Sequence, residues 1–288
     1  MWYKSAIEVF ESLMTQPVKI SVVLSTYNSP AYLEKALIAL SSQTEQAYEV
    51  IVADDGSSDA TRDLIERLAL QFSVPLIHAW QEDRGFRAAA SRNEAVRKST
   101  GDYLVFLDGD CLARSSFIQA HRQFAEAGYF VRGSRIMLRE AFSKRIFAGH
   151  AVVPATAWQW LACKLRGDVK RIGSLLPLPL RFTAYRKRGA WYGVKTCNLG
   201  VWRQDFEAVN GFDESYVGWG HEDADLAVRL LRQGIARKEG RASIPVIHLW
   251  HTESSRDQLS DNVERLQTVL AADYCWAQDG LTKETPSK

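Results

Sequence analysis

The sequence predicts an α/β protein built on a mostly parallel, doubly wound sheet with helices on both faces. Apolar runs alternate with amphipathic stretches through residues 18–133, the β-α-β-α-β-α-β order that a parallel sheet requires. The runs are rich in β-branched residues, as suits strands covered on both faces. Polar clusters around Thr26, Asp54 and Asp108 follow directly on three of these runs. Doubly wound sheets bind their ligands at the carboxyl ends of the strands.

The first strand is VKISVVLST (18–26), after which Asn28, Ser29 and Pro30 supply turn and helix-start chemistry for AYLEKALIALSSQ. YEVIVA (48–53) is the second strand; it ends in Asp54-Asp55-Gly56-Ser57-Ser58-Asp59 and the amphipathic TRDLIERLALQF. The third, VPLIHAW, leads through Gly85 to the helix RAAASRNEAVRK. The fourth, DYLVFL (102–107), runs into Asp108-Gly109-Asp110. After residue 196 come a strand around NLGVW, a glycine-rich stretch GFDESYVGWGHED, the helix ADLAVRLLRQG and a strand near SIPVIHLWH. A final amphipathic helix is predicted from about 257 to 279. No internal repeat is present.

A chain of 288 residues, 46% apolar and 24% charged, can bury a sizeable core, which excludes wholesale disorder. Cys111, Cys163, Cys197 and Cys275 form no CxxC pair, which argues against a disulfide framework or zinc ribbon and for a reducing compartment. No apolar stretch approaches the roughly 20 residues of a membrane span. Glu8 and Glu11 stand where a signal peptide would be apolar. The expectation is a cytoplasmic protein.

Charge divides the chain. Residues 135–195 hold 13 Lys or Arg against Glu140 and Asp168 alone, leaving 23 of the 36 basic and 32 of the 34 acidic residues elsewhere. The same segment is aromatic, with Phe142, Trp158, Trp160, Trp191 and Tyr192 among others. Such a segment suits a phosphorylated glycolipid, an anionic membrane surface or nucleic acid; the plainer alternative is a solvated basic face. The chain is therefore divided into 18–133, a basic aromatic insertion 134–195, and 196–279, with terminal extensions 1–17 and 280–288. A stripe of Tyr3, Ile7, Phe10 and Met14 at helical spacing is expected to pack on the C-terminal helix, with membrane contact the alternative.

Four groups of residues carry chemistry. Asp108 and Asp110, separated by glycine after a strand, can project two carboxylates towards one hard cation such as Mg²⁺ or Mn²⁺, although Asp-Gly-Asp also occurs in ordinary turns. Asp54 and Asp55 can receive a base or ribose donor group, whereas Ser57, Ser58 and Asp59 read as helix caps. Glu222-Asp223 opens a helix, where acids favour the dipole. Trp219 between two glycines implies a mobile loop able to cover a sugar ring, with a carboxylate beside it able to accept a hydroxyl proton. His248 and His251 end a late strand, where one could complete a metal site.

Together these residues resemble an inverting family 2 glycosyltransferase with the GT-A fold. The matching segments are SVVLSTYN (21–28), VIVADDGSSDAT (50–61), GFRAAASRNEAV (85–96), GDYLVFLDGDC (101–111), CNLGVWRQDFEAVNGFDESYVGWGHEDADLAVRL (197–230) and HLWH (248–251). The latter half resembles the C-terminal module of β-1,4-galactosyltransferases and bacterial chondroitin-type polymerases. The resemblance implies a Rossmann-like nucleotide-sugar half followed by an acceptor-binding module. By it, Thr26 and Tyr27 lie against uracil and Asp54 or Asp55 hydrogen-bonds it. Arg87 contacts the nucleotide, with Arg92 a second candidate. Asp108 reaches the ribose or metal and Asp110 binds metal, with His251 the preferred further ligand and His248 the next. Asp223 is the general base, Glu222 holds acceptor hydroxyls and Trp219 packs on the acceptor. The expected cofactor is Mn²⁺ or Mg²⁺ and the expected partners are a UDP-sugar and a saccharide or lipid-linked acceptor. Cell-surface polysaccharide or lipopolysaccharide assembly, at the inner face of the cytoplasmic membrane, is the expected setting.

Other classes fit less well. A retaining transferase has no need of the Glu222-Asp223 base. A haloacid-dehalogenase-type phosphohydrolase carries Asp-x-Asp on its first strand, not its fourth. A non-catalytic nucleotide-sugar scaffold predicts loss of a reactive carboxylate, and none is lost. Neither GxGxxG after the first strand nor a nucleoside-triphosphate loop is present, and no nucleic-acid-reading module accompanies the basic segment.

Overall fold

A computed structural model describes residues 18–171, 173, 184–185, 187–240, 243–252 and 255–283. The stripe of Tyr3, Ile7, Phe10 and Met14 lies outside these residues.

The order is β1 (Ile20–Thr26), α1 (Pro30–Ser41), β2 (Tyr48–Asp54), α2 (Asp59–Ala69), β3 (Leu76–Trp80), α3 (Ala88–Lys98), β4 (Tyr103–Asp108), β5 (Cys111–Leu112), α4 (Phe117–Phe124), β6 (Tyr129–Arg132) and β7 (Ser134–Met137). Then follow α5 (Glu140–Phe147), α6 (Ala157–Leu165), β8 (Asn198–Trp202), α7 (Arg203–Ala208), α8 (Glu222–Arg232), β9 (Ala236–Glu239), β10 (Pro245–His248) and α9 (Leu259–Ala271). The main sheet runs β3-β2-β1-β4-β8-β6-β9, parallel throughout except for β8. The predicted mostly parallel sheet is observed, with helices on both faces.

Alternation along each strand explains the two cores. Val22 and Leu24 face one cluster with Leu33, Leu37 and Leu64, while Val23 faces another with Ile51, Phe106, Phe206 and Phe212. Register then fixes the functional edge. Thr26 pairs with Asp54 and Ser25 with Asp108, so three polar strand ends share one rim.

Short strands escaped the sequence reading. β9 is Ala-Arg-Lys-Glu, with Arg237, Lys238 and Glu239 all buried; its charges give no apolar pattern, yet it pairs in parallel with β6. β10 sits between β5 and β7 in a second, three-stranded sheet. The aromatic residues of 134–195 divide. Phe142 and Trp160 are 3% exposed and join the core behind β1, whereas Trp158 is 79% exposed. The last helix stops at Ala271, short of the predicted 279, because the chain turns back over α7. There Asn210 donates to the Ala277 carbonyl and Ala277 N–H donates to Val209. All four cysteines are free. Among the described residues no helix is long and apolar enough to cross a membrane.

Arg229 fixes α8 to this frame. Fully buried, it pairs with Asp225 and donates from Nη1 to the carbonyls of Val209 (2.6 Å) and Gly211 (2.8 Å). Arg229→Met would leave a buried carboxylate and two carbonyls unpartnered, and a loss of about 3–5 kcal/mol in urea unfolding is expected. Adding Asp225→Asn should restore part of it, since the buried charge is then gone.

Candidate active site

Close approach explains the glycine between the two aspartates. A Cβ on Gly109 would stand 2.7 Å from the Ser25 carbonyl oxygen, and Gly109 N–H donates to that same oxygen at 2.8 Å. Any side chain would push the turn off β1, so Asp108 and Asp110 are held against the strand rim.

Pairing of β10 with β5 then brings the distant histidines in. His248 lies opposite Cys111, and Leu249 N–H donates to the Asp110 carbonyl at 2.9 Å. Both imidazoles converge on one oxygen: Nε2 of His251 is 2.9 Å and that of His248 3.4 Å from Asp110 Oδ2. Burial opposes ionisation of Asp110, but His251, His248 and the Cys111 thiol together hold its pKa below the ordinary value. The bond to Asp110 raises His251 to about 9, while burial lowers His248. Asp110, Cys111 and His248 also offer ligand atoms within 4.8 Å of one another. Cys111 was not foreseen as a member of this group. Burial pushes its thiol well up, so it is a poorer donor than the carboxylate and imidazoles. A carboxylate flanked by two imidazoles, with His248 Nδ1 buried and unpartnered, fits a divalent cation; without one, a protonated His251 supplies the positive charge.

Asp108 is shaped differently. Burial raises its carboxyl to about 6, with Arg92 opposing and Asp110 adding to the rise. Arg92, the second nucleotide candidate, is placed among the acids of this rim. Only 5% exposed, it donates from Nε to Ser25 Oγ at 3.0 Å, from Nη1 to Glu222 at 2.9 Å and from Nη2 to Asp108 at 3.4 Å. The guanidinium is an internal strut between the two halves, with its Cζ 5.6 Å from the centre of the Phe212 ring. Glu222, expected to hold acceptor hydroxyls, has one carboxylate oxygen engaged by this strut.

The second-strand acids also have partners within the rim. Asp54, fully buried, accepts from Ser57 N–H and lies 2.8 Å from His78 Nε2. Asp55 accepts from Gln81 and from the Arg87 N–H. Tyr27 is 46% exposed and donates to Asp83 at 2.9 Å. Thr26 Oγ1 and Arg87 Nε are buried without partners at this rim, which leaves them for a ligand.

Asp223 stands in the first turn of α8, preceded by His221 at φ 77°, a left-handed conformation uncommon outside glycine. Burial, then the neighbouring Glu222, raises its carboxyl to about 6, against the pull of Lys195, whose Nζ lies 3.5 Å away. The loop expected to be mobile is pinned. Gly218 N–H donates to the Phe86 carbonyl at 2.8 Å and Asn262 donates to Val217 at 3.0 Å. Lys195 and Arg256 lie 5.8 and 5.0 Å from the Trp219 ring. Neither cation was singled out from sequence, because neither has a motif around it.

The ionised form of Asp223 is penalised by folding, a cost absent below about pH 4 and full above about pH 6. Asp223→Asn should therefore raise unfolding stability at pH 7.5 by about 1–3 kcal/mol, with the gain shrinking at pH 4 in urea titrations.

Comparison with known proteins gives concordant matches. The pattern of Glycosyl transferase family 2 matches residues 21–188, and that of the N-terminal domain of galactosyltransferase matches residues 178–252. Validoxylamine A glucosyltransferase of Streptomyces hygroscopicus subsp. jinggangensis is 32% identical over 275 residues, covering 90% of this chain and 63% of that protein. The chain thus spans less than two thirds of this relative. Among solved structures, the mannosyltransferase PcManGT from Pyrobaculum calidifontis, in complex with GDP-Man and Mn²⁺, aligns with a TM-score of 0.60 at 18% identity, over 89% of this chain and 64% of that one. S. aureus TarS with UDP-GlcNAc gives 0.60 at 15% identity, over 88% and 66%. These likenesses give the chain a GT-A-like α/β fold.

Proposed function

The chain belongs to glycosyl transferase family 2, and from that premise we propose that it moves a sugar from a UDP-sugar to a hydroxyl of a saccharide or glycolipid acceptor, inverting the anomeric carbon. The observation that carries this reading is Asp223. A carboxylate 5% exposed, raised to about 6 and paired with Lys195, which also lies over the Trp219 ring, is suited to take a proton near neutral pH.

In the proposed reaction Asp223 removes the proton of the acceptor hydroxyl as its oxygen attacks the anomeric carbon. The bond from that carbon to the UDP oxygen breaks on the opposite face, and its electron pair leaves with the diphosphate. Trp219 packs on the acceptor ring and limits water at the reacting carbon. Thr26, Tyr27 and Asp55 receive the uracil, Arg87 the nucleotide and Asp108 the ribose. Asp54 orients this rim through Ser57. Arg92 positions Asp108 relative to Glu222, which keeps one oxygen for acceptor hydroxyls. Asp110 with His251 and His248 would hold Mn²⁺ or Mg²⁺, which when bound supplies charge neutralisation for the diphosphate. Residues 18–133 serve the donor, 196–279 the base and acceptor, and 134–195 face the acceptor or an anionic membrane. Polysaccharide or lipopolysaccharide assembly at the inner face of the cytoplasmic membrane is the setting these features suit.

The test is UDP release from a panel of UDP-sugars with and without Mn²⁺. Slow hydrolysis of one sugar that requires both the metal and Asp110 is expected, with Asp110→Asn lowering the rate at least about a hundredfold. No release and no calorimetric UDP binding would overturn the reading. Product configuration by NMR, opposite to the donor's, tests inversion.

The acid limb of the pH–rate profile should fall below about pH 6, as Asp223 takes up a proton. Lys195 lowers that pKa, so Lys195→Met should move the limb to higher pH. An unmoved limb would separate it from Asp223.

A further inference from the structure

Beside the metal-site strand lies an open cleft of about 620 Å³, lined by Arg139, Glu140, Ala141, Lys144, Lys170 and Trp250. Its cations are brought together by the backbone. Leu138 bridges to Val169, with Arg139 N–H donating to the Asp168 carbonyl and Lys170 N–H to Met137, so Arg139 and Lys170 flank one bridge. Asp168 gives them no countercharge: its carboxylate is taken by Arg145 at 2.6 Å and Arg166 at 3.0 Å. Among the described residues no carboxylate pairs with Arg139 or Lys170, while Lys144 pairs with Glu140 at 2.8 Å. Arg139 is also the N-cap of α5 and caps nothing with its side chain. The first N–H groups of that helix therefore add to the positive field at the cleft.

Trp250 gives the cleft a flat apolar wall and ties it to the metal site. Its backbone N–H donates to Ser143 Oγ at 2.9 Å and its backbone carbonyl accepts from the Tyr32 hydroxyl at 3.0 Å. It thus sits fixed between His248 and His251. Convergent unpaired cations repel one another, and an anion relieves that repulsion; an indole beside them suits the apolar face of a sugar ring.

We propose that this cleft is a subsite for a phosphate-bearing sugar of the acceptor, with Arg139, Lys170 and the α5 N-terminus on the phosphate and Trp250 against the ring. The assignment to the acceptor rests on the glycosyl-transfer reading; binding of a sugar phosphate does not. Glucose 6-phosphate and glucose, titrated against the full chain by ligand-detected NMR, are the probes. The wild type should bind the phosphate ester at least about tenfold more tightly than glucose. Arg139→Ala/Lys170→Ala, at two exposed positions outside the proposed donor and metal site, should abolish that preference while melting temperature and UDP binding with Mn²⁺ stay unchanged. Trp250→Leu should weaken glucose 6-phosphate yet leave inorganic phosphate competition intact. Equal affinity for the two sugars, or a preference that survives the double substitution, would overturn the proposal. So would charge-dependent binding of anionic phospholipid vesicles through Arg139 and Lys170 with no binding of glucose 6-phosphate. UDP binding is read separately, so failure of the donor site and failure of the cleft are distinguishable.

Discussion

Four carboxylates, Asp108, Asp110, Glu222 and Asp223, must be held near one rim of the sheet without driving it apart, and the buried guanidinium of Arg92 is the interaction that makes this tolerable. It binds Asp108 from the first half and Glu222 from the second while anchored to Ser25 on β1. The charge is doubly useful there. Burial alone would neutralise these acids, and a fixed cation among them keeps the cluster ionisable and in register. Arginine suits the position because its planar fork presents several donors in fixed directions, which an ammonium does not.

The other acids are balanced by different means, which separates their chemistry. Asp110 is set against two imidazoles and its pKa is lowered. Asp223 faces one partly exposed ammonium across 3.5 Å and its pKa is raised. An acid kept low suits a cation ligand, and one poised near 6 suits proton transfer. Folding works against the second, so the proposed base is held at a cost to stability, to which the strained His221 adds and which the Arg229 hydrogen bonds help to offset.

The second, three-stranded sheet delivers what the main sheet lacks. β10 packs against β5 on one side and β7 on the other. The first contact brings His248 and His251 to Asp110. The second places the start of α5, with Arg139, beside Trp250. The proposed metal ligands and the basic cleft therefore both depend on β10, and a shift of that strand would be felt in both.

Much of this was legible in the amino-acid order. Alternating apolar runs specified the parallel strands and their helices, because burial on both faces demands mostly apolar residues through 20–26, 48–54 and 103–108. The acids, the histidines and Trp219 were legible too, since each stands at a strand end or glycine turn. Tertiary structure alone decided the rest. Arg92 reads in sequence as a second nucleotide contact, and only the approach of Glu222 and Asp108 makes it a strut. Lys195 and Arg256 gain their roles from residues far along the chain. β9 carries charges that pairing, not pattern, buries. Local composition determines which segments form strands and helices; side-chain partners across many residues, and the protonation those partners impose, exist only once the chain has closed on itself.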